Sequence, residues 1–248
     1  MRFGRVCLIG LLLAIAPATA NAALLLSATI NGIDVCASDN NTGCVFGTPL
    51  SDVNALAGQL ALNPVTIGGV EITGSLQQVT VGGAFNILNT STTQITNNNA
   101  FAVSGTLAVS ATGFTPPVSQ AFVSGSATWE DAIGSSVTMS WYNDPANAQG
   151  AQFPNDTPGL QLYTCSDNVT LPADATACSA GPIAVSDLAP FSMTLYTQFT
   201  LAPGATLVNR GMTELKPVEQ DVNVPEPASM LLLGLGLLGA GVARRRRN

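Results

Sequence analysis

Apolar and polar residues alternate with a period of two along much of this chain. Phe101, Val103, Leu107, Val109 and Ala111 fall on one face, and Ala102, Ser104, Thr106, Ala108 and Ser110 on the other. That spacing is the mark of a strand with one buried side. Phe191, Met193, Leu195, Thr197 and Phe199 repeat it, between Pro190 and a Pro203-Gly204 turn. Further strands are expected over Leu24–Ile30, Gly69–Ile72, Leu76–Val81, Phe85–Leu88, Ala121–Trp129, Ser136–Tyr142 and Leu160–Cys165, with Gly, Asn and Pro between them. Short strands at such intervals read as an antiparallel sandwich or barrel. One helix is expected, over Leu50–Leu62, where Ser51-Asp52 can cap Val53 to Leu60. The fold class is therefore all-β, an antiparallel β-sandwich of Ig-like or jelly-roll-like type. It is assigned to residues 23–210, with a long polar loop from Asn143 to Gly159 joining two groups of strands.

Both ends depart from this pattern. Residues 1–22 read as a signal peptide: Arg2 and Arg5 precede an apolar run from Val6 to Ala16, and Ala20-Asn21-Ala22 offers small residues for cleavage before Ala23. Cys7 leaves with that segment. From Gly211 to Asn223 the chain turns charged and reads as a stalk. Residues 224–248 then run Val-Pro-Glu-Pro, an unbroken apolar stretch from Ala228 to Ala243, and four arginines, Arg244, Arg245, Arg246 and Arg247. An apolar helix followed by a basic stop is a membrane foothold with its arginines on the cytoplasmic side. At about 1.5 Å per residue its length is roughly 24 Å against a hydrocarbon core of roughly 30 Å, so prolines and arginines lie close to the two interfaces. Gly234-Leu235-Gly236-Leu237-Leu238-Gly239 matches a dinucleotide fingerprint in letters only, because the chain ends nine residues later without the strand or acid that motif needs.

Taken together, Pro225-Glu226-Pro227, the Leu/Gly helix and the arginine cluster resemble the PEP-CTERM sorting signal of Gram-negative envelope proteins. The resemblance covers about a tenth of the chain. It implies processing by exosortase, a membrane-embedded cysteine transpeptidase, near Pro225-Glu226-Pro227. It also implies a transient inner-membrane intermediate and a final place at the cell surface or outside, in the exopolysaccharide matrix of a biofilm. The two prolines hold Glu226 on extended backbone beside the bilayer, where a protease can reach it. A permanent tail anchor is the competing reading.

Charge and cysteines sharpen the picture of the exported part. Residues 23–223 carry 14 acids against Arg210 and Lys216, a formal charge of −12. Nucleic acid is excluded as a partner, since it requires a basic footprint. Export places Cys36, Cys44, Cys165 and Cys178 in an oxidising compartment. Of the three possible pairings we favour Cys36 with Cys44 and Cys165 with Cys178, each bracketing a polar loop as a local staple. No cofactor is expected. Zinc is disfavoured because histidine is absent and no close C-x-x-C pair exists. Asp39 and Asp167, with their Asn neighbours, offer oxygen donors to calcium inside the two rings, although Asp and Asn also serve as ordinary turn residues.

Catalysis has little to draw on. Without histidine, Ser-His-Asp and Cys-His systems cannot be assembled. Glu130 and Asp131 are adjacent and so point to opposite faces of a strand, which leaves Glu130 with Asp144 as the least poor carboxylate pair for glycoside hydrolysis. Trp129 and Trp141 fall in line with core positions, Tyr142 is the ring expected at the surface as a glycan contact, and the loop from Asn143 to Gly159 is the expected binding edge. The expected function is that of a non-enzymatic exported protein with a structural or adhesive role in exopolysaccharide. The alternatives are a glycan- or calcium-binding surface module and, less well supported, a secreted glycoside hydrolase.

Overall fold

A computed structural model describes residues 23–41, 43–73, 76–81 and 85–217. The signal peptide, the stalk beyond Pro217 and the sorting segment, including Ala20, Ala22, Pro225, Glu226, Pro227 and Arg244 to Arg247, lie outside the described residues. Chain contacts divide the protein into Met1–Pro217 and Val218–Asn248. Only the first contains described residues.

In chain order the strands are β1 (Leu24–Ile30), β2 (Ile33–Ser38), β3 (Thr48–Pro49), β4 (Gln59–Ala61), β5 (Val65–Ile67), β6 (Val70–Thr73), β7 (Leu76–Thr80) and β8 (Asn86–Asn97). They continue as β9 (Val103–Phe114), β10 (Val118–Glu130), β11 (Ser136–Asp144), β12 (Leu160–Asn168), β13 (Asp174–Asp187), β14 (Phe191–Leu201) and β15 (Thr206–Lys216). They form two sheets. The first has the order β12-β11-β14-β9-β1-β2-β3, and the second β13-β10-β15-β8-β6-β5, with β4 and β7 paired beside β8. Apart from the parallel β2–β3 contact, all these pairings are antiparallel.

The inward positions of both sheets make one apolar core. On β14 all five positions of the expected face, Phe191 to Phe199, are buried; on β9 four of the five are, while Phe101 lies before the strand and is exposed. Trp129 and Trp141 are fully buried in that core. Glycines make room for the largest rings. A Cβ on Gly125 would stand 2.7 Å from the Trp141 indole, and one on Gly105 would stand 2.5 Å from the Phe199 ring. The sandwich interior is thus close-packed by pairing absent side chains with bulky ones. At one end Asn97, completely buried, donates through Nδ2 to the carbonyls of Phe101, Leu201 and Ala202 at 2.9, 3.1 and 3.0 Å. One amide thereby clasps the β8–β9 and β14–β15 turns.

Three expectations are corrected. No helix forms over Leu50–Leu62. Asp52 Oδ1 accepts hydrogen bonds from the Asn54 and Ala61 amides, and Asn54 Oδ1 accepts one from Leu56. Short polar side chains that satisfy nearby backbone in this way compete with helix, and Gly58 adopts a φ of 77°. The stalk does not begin at Gly211. Strand β15 runs on to Lys216, with Thr213 and Leu215 buried in the same alternation as Leu207 and Asn209. The Asn143–Gly159 loop does not link two groups of strands, because β11 and β12 are neighbours in one sheet. It folds instead over the outer face of that sheet.

Cys36 joins Cys44 and Cys165 joins Cys178. The second bridge is more than a loop staple. Cys165 lies on β12 and Cys178 on β13, the edge strands of opposite sheets, so the bond closes one side of the sandwich. Nearer the opposite end of the same edge, Asn143 Nδ2 donates to Asp187 Oδ2 at 2.7 Å, again joining one sheet to the other. Both residues are buried. Burial first, and the charge of Asp144 second, raise the Asp187 carboxyl above the usual carboxylate range, against the lowering effect of the Asn143 hydrogen bond.

Two outcomes follow from this edge. Replacing Cys165 and Cys178 by serine should lower unfolding free energy in urea by about 3 kcal/mol, from the loop-closure entropy of a ring of this size. Because the folded state holds the Asp187 proton more tightly than the unfolded chain does, this residue's contribution to stability is largest below about pH 3.9 and declines as pH rises through the folded value. Relative to wild type, Asp187→Asn should therefore gain stability as pH is raised from 3.5 to 6.5. A stability difference that stays flat across that range would contradict the assignment.

Candidate functional site

Two loops far apart in sequence meet on the outer face of the first sheet. One is the turn inside the Cys36–Cys44 ring. Asp39 Oδ1 accepts from Asn40 Nδ2 and Oδ2 from the Gly58 amide, while Ser38 Oγ accepts from the Gly43 amide. Asn40 and Asn41 both take left-handed backbone conformations, which asparagine tolerates. Asp39 is thus engaged as a turn residue, and Asp167 accepts from the Trp129 indole at 3.2 Å. Neither of these two acids belongs to a cluster of three metal-ligating side chains among the described residues.

The second loop, Pro145–Gly159, is held down along its length. Asp144 accepts from the amides of Ala146 and Ala148, Asn147 Oδ1 from that of Gly113, and Ser110 Oγ from that of Gly150. Ser192 Oγ donates to the Ala148 carbonyl, and Gln152 donates its amide to Asp156. Beneath the loop Leu25, Cys36, Ala108 and Ala151 form a second, small apolar cluster. That explains why Ala108 and Ser110, read as outward, are buried.

Between the loops lies a cleft of about 520 Å³ over the start of β1. Its walls include Asp39, Asn40, Thr112, Gln149 and Gln152. The Gln149 amide nitrogen donates to the Gly150 carbonyl, whereas its Oε1 is buried without a hydrogen-bond partner. Phe46 and Phe153, one from each loop, meet edge to face with ring centroids 5.6 Å apart, and both are exposed. The carboxamides supply donors and acceptors for a polyhydroxylated ligand, and the exposed ring pair, reached from the wall through Phe153 next to Gln152, supplies an apolar surface.

Tyr142 is half-buried rather than an open ring. Its neighbour Tyr196 donates its hydroxyl to Asn155 Oδ1, tying down the tip of the second loop. Burial, and then the nearby Tyr142, raise the Tyr196 phenol above its usual range, so it stays protonated as that donor. Gln149, Gln152 and Phe153 lie in the loop expected to be the binding edge, but nothing in the sequence singled them out within it, and Phe46 was missed because it belongs to no periodic pattern.

The carboxylates Glu130 and Asp144 do not meet. Asp144 follows Asn143, which contacts Asp187, and Asp187 pairs with Val118 at the start of β10. Glu130 ends that strand twelve residues later, roughly 40 Å away at about 3.3 Å per residue. Glu130 and Asp131 are exposed at that far end.

Among solved structures the chain is similar to TmCBM61 in complex with beta-1,4-galactotriose, at 8% identity over 61% of this chain and 90% of that one, TM-score 0.34. It is also similar to the C-terminal CBM6 of LamC from Zobellia galactanivorans, at 11% identity over 58% and 90%, TM-score 0.24. A carbohydrate binding module of family 29 matches at 11% identity over 81% and 99%, TM-score 0.23. With every one of these TM-scores below 0.5, none bears on ligand or activity. No curated protein matches the chain. Among the described residues no helix is long and apolar enough to cross a membrane. At the C-terminus, residues 223–247 match the family model of the PEP-CTERM protein-sorting motif, which implies an exported protein processed by an exosortase.

Proposed function

We propose that this is a surface or matrix protein that acts by binding polysaccharide, with the two-loop cleft as its contact site and no catalytic turnover. The cleft itself carries the reading. Asn40, Gln149 and Gln152 bring carboxamides from two loops to one concave surface, and Phe153, next in the chain to Gln152, forms an exposed pair with Phe46. Carboxamides both donate and accept, which matches sugar hydroxyls better than it matches an ion. The rigid, hydrogen-bonded loops pre-organise the site, so little conformational freedom is lost on binding. A neutral polymer fits this cleft, since Asp39 stands in its wall and no basic side chain lines it. The absence of histidine and the separation of Glu130 from Asp144 support binding over hydrolysis.

Delivery completes the reading. The protein leaves by the general secretory route with cleavage before Ala23, is held by its apolar tail, and is released from it near Pro225-Glu226-Pro227 into an exopolysaccharide matrix, where its role is adhesive or structural.

Two measurements test this. Calorimetric titration of neutral exopolysaccharide from the producing cells should give saturable binding that weakens at least tenfold when Asn40 and Gln152 are both changed to alanine; no saturable binding to the wild-type protein would overturn the site. Mass spectrometry of the mature surface protein should find chains beginning at Ala23 and ending near Glu226. Recovery of Arg244 to Arg247 on that material would overturn the processing.

A further inference from the structure

The second sheet exposes its own outer face, and one cation stands in the middle of it. Arg210 is exposed on β15, which is flanked by β10 and β8 near the centre of the sheet. Its position is set by a register shift. Asn209 pairs with Thr93 and Gly211 with Thr90, so β8 carries one extra residue opposite Arg210. Such a bulge bends the strand and re-aims what lies across from it. The result is a shallow groove of about 470 Å³ in which Arg210 is accompanied by Asn89 and Ser91 from β8, Ser124 and Ser126 from β10, and Met212.

The charge pattern makes this position unusual. The exported body has only two basic side chains against 14 acids. Lys216 sits 4.5 Å from the centroid of the Phe122 ring and is engaged there. The Arg210 side chain has no ion pair or hydrogen bond to another described residue. Its cross-strand neighbour on β10 is Ser126, and two residues along its own strand lie Val208 and Met212. The nearest acid on that strand, Glu214, is four residues away, about 13 Å at roughly 3.3 Å per residue. A guanidinium presents a planar fork of donors that matches a carboxylate with two parallel hydrogen bonds, and it stays charged at any physiological pH.

We infer that the Arg210 groove is a second binding site, one that takes a carboxylate-bearing sugar unit of an acidic polysaccharide. The guanidinium pairs with the carboxylate, and the surrounding Ser124, Ser126 and Asn89 side chains serve the ring hydroxyls. A sugar is favoured over an acidic peptide because the groove is shallow, open along the strands and rich in hydroxyl and amide groups, with Met212 its one large apolar side chain. This site lies on a different sheet from the two-loop cleft and does not rest on it.

The experiment is a calorimetric titration of the mature exported protein with hexagalacturonate and, in parallel, with its carboxyl-reduced counterpart. The acidic hexamer should bind wild type at least tenfold more tightly than the reduced one. Arg210→Gln should lose that preference, and Arg210→Lys should keep part of it, since an ammonium retains the charge without the fork. Both variants should melt as wild type does, because the side chain is exposed, and the Asn40/Gln152 double variant should bind hexagalacturonate normally. Equal binding by Arg210→Gln, or equal binding of the reduced hexamer by wild type, overturns the inference. Competition by hexaglutamate as strong as by hexagalacturonate would overturn the sugar assignment as well.

Discussion

The sandwich depends on close approach of two sheets across an interior that must hold two tryptophans and three buried phenylalanines. Two indoles and several benzyl rings cannot interdigitate between opposing side chains of ordinary size. Gly125 and Gly105 resolve this by leaving space under Trp141 and Phe199. Inter-sheet packing in turn fixes which face of every strand is inward, so register throughout the molecule follows from this fit. An added methyl at Gly125 would meet the indole at one side and backbone at the other, which leaves little room for relaxation.

A sandwich with large inner groups is exposed at its edges, where β12 and β13 each lack one neighbour. Covalent and polar links between the sheets work there together. Cys165–Cys178 ties the strands directly, and Asn143–Asp187 does so further along. The ionised form of the acid in the second link is disfavoured by burial, so the contribution of this link weakens as pH rises. On the opposite side the Cys36–Cys44 ring and the Pro145–Gly159 loop cover what would otherwise be an open sheet face, and their meeting shapes the proposed glycan cleft.

The fold thereby separates two surfaces of different chemistry. One holds the amide-rich cleft and the exposed Phe46–Phe153 pair. The other is a bare sheet face whose sole unpaired cation, among the described residues, sits above a β-bulge. On a protein carrying a PEP-CTERM sorting motif, the two proposed sites together would let a single copy bridge two kinds of chain.

Periodicity alone located most of the long strands, because alternation with a period of two is a local property that any half-buried strand must show. It found β1 to the residue and the inner face of β14 without error. It failed where tertiary structure breaks the period. In β8 the buried positions are Asn86, Leu88 and Thr90 and then Thr93, Ile95 and Asn97, so the bulge shifts the alternation by one and hides a strand of 12 residues. In β13 a Gly181-Pro182 pair reads as a turn, yet an edge strand tolerates it at an irregularity. The sorting segment, the excess of acids, the cysteine pairing we favoured and the absence of histidine were all legible in the chain, since each depends on composition or on neighbours in sequence. Which loops meet, that one disulfide spans the two sheets, that Glu130 and Asp144 lie at opposite ends, and that Arg210 stands alone were decided only by the tertiary structure, because each is a distance between residues that no local rule constrains.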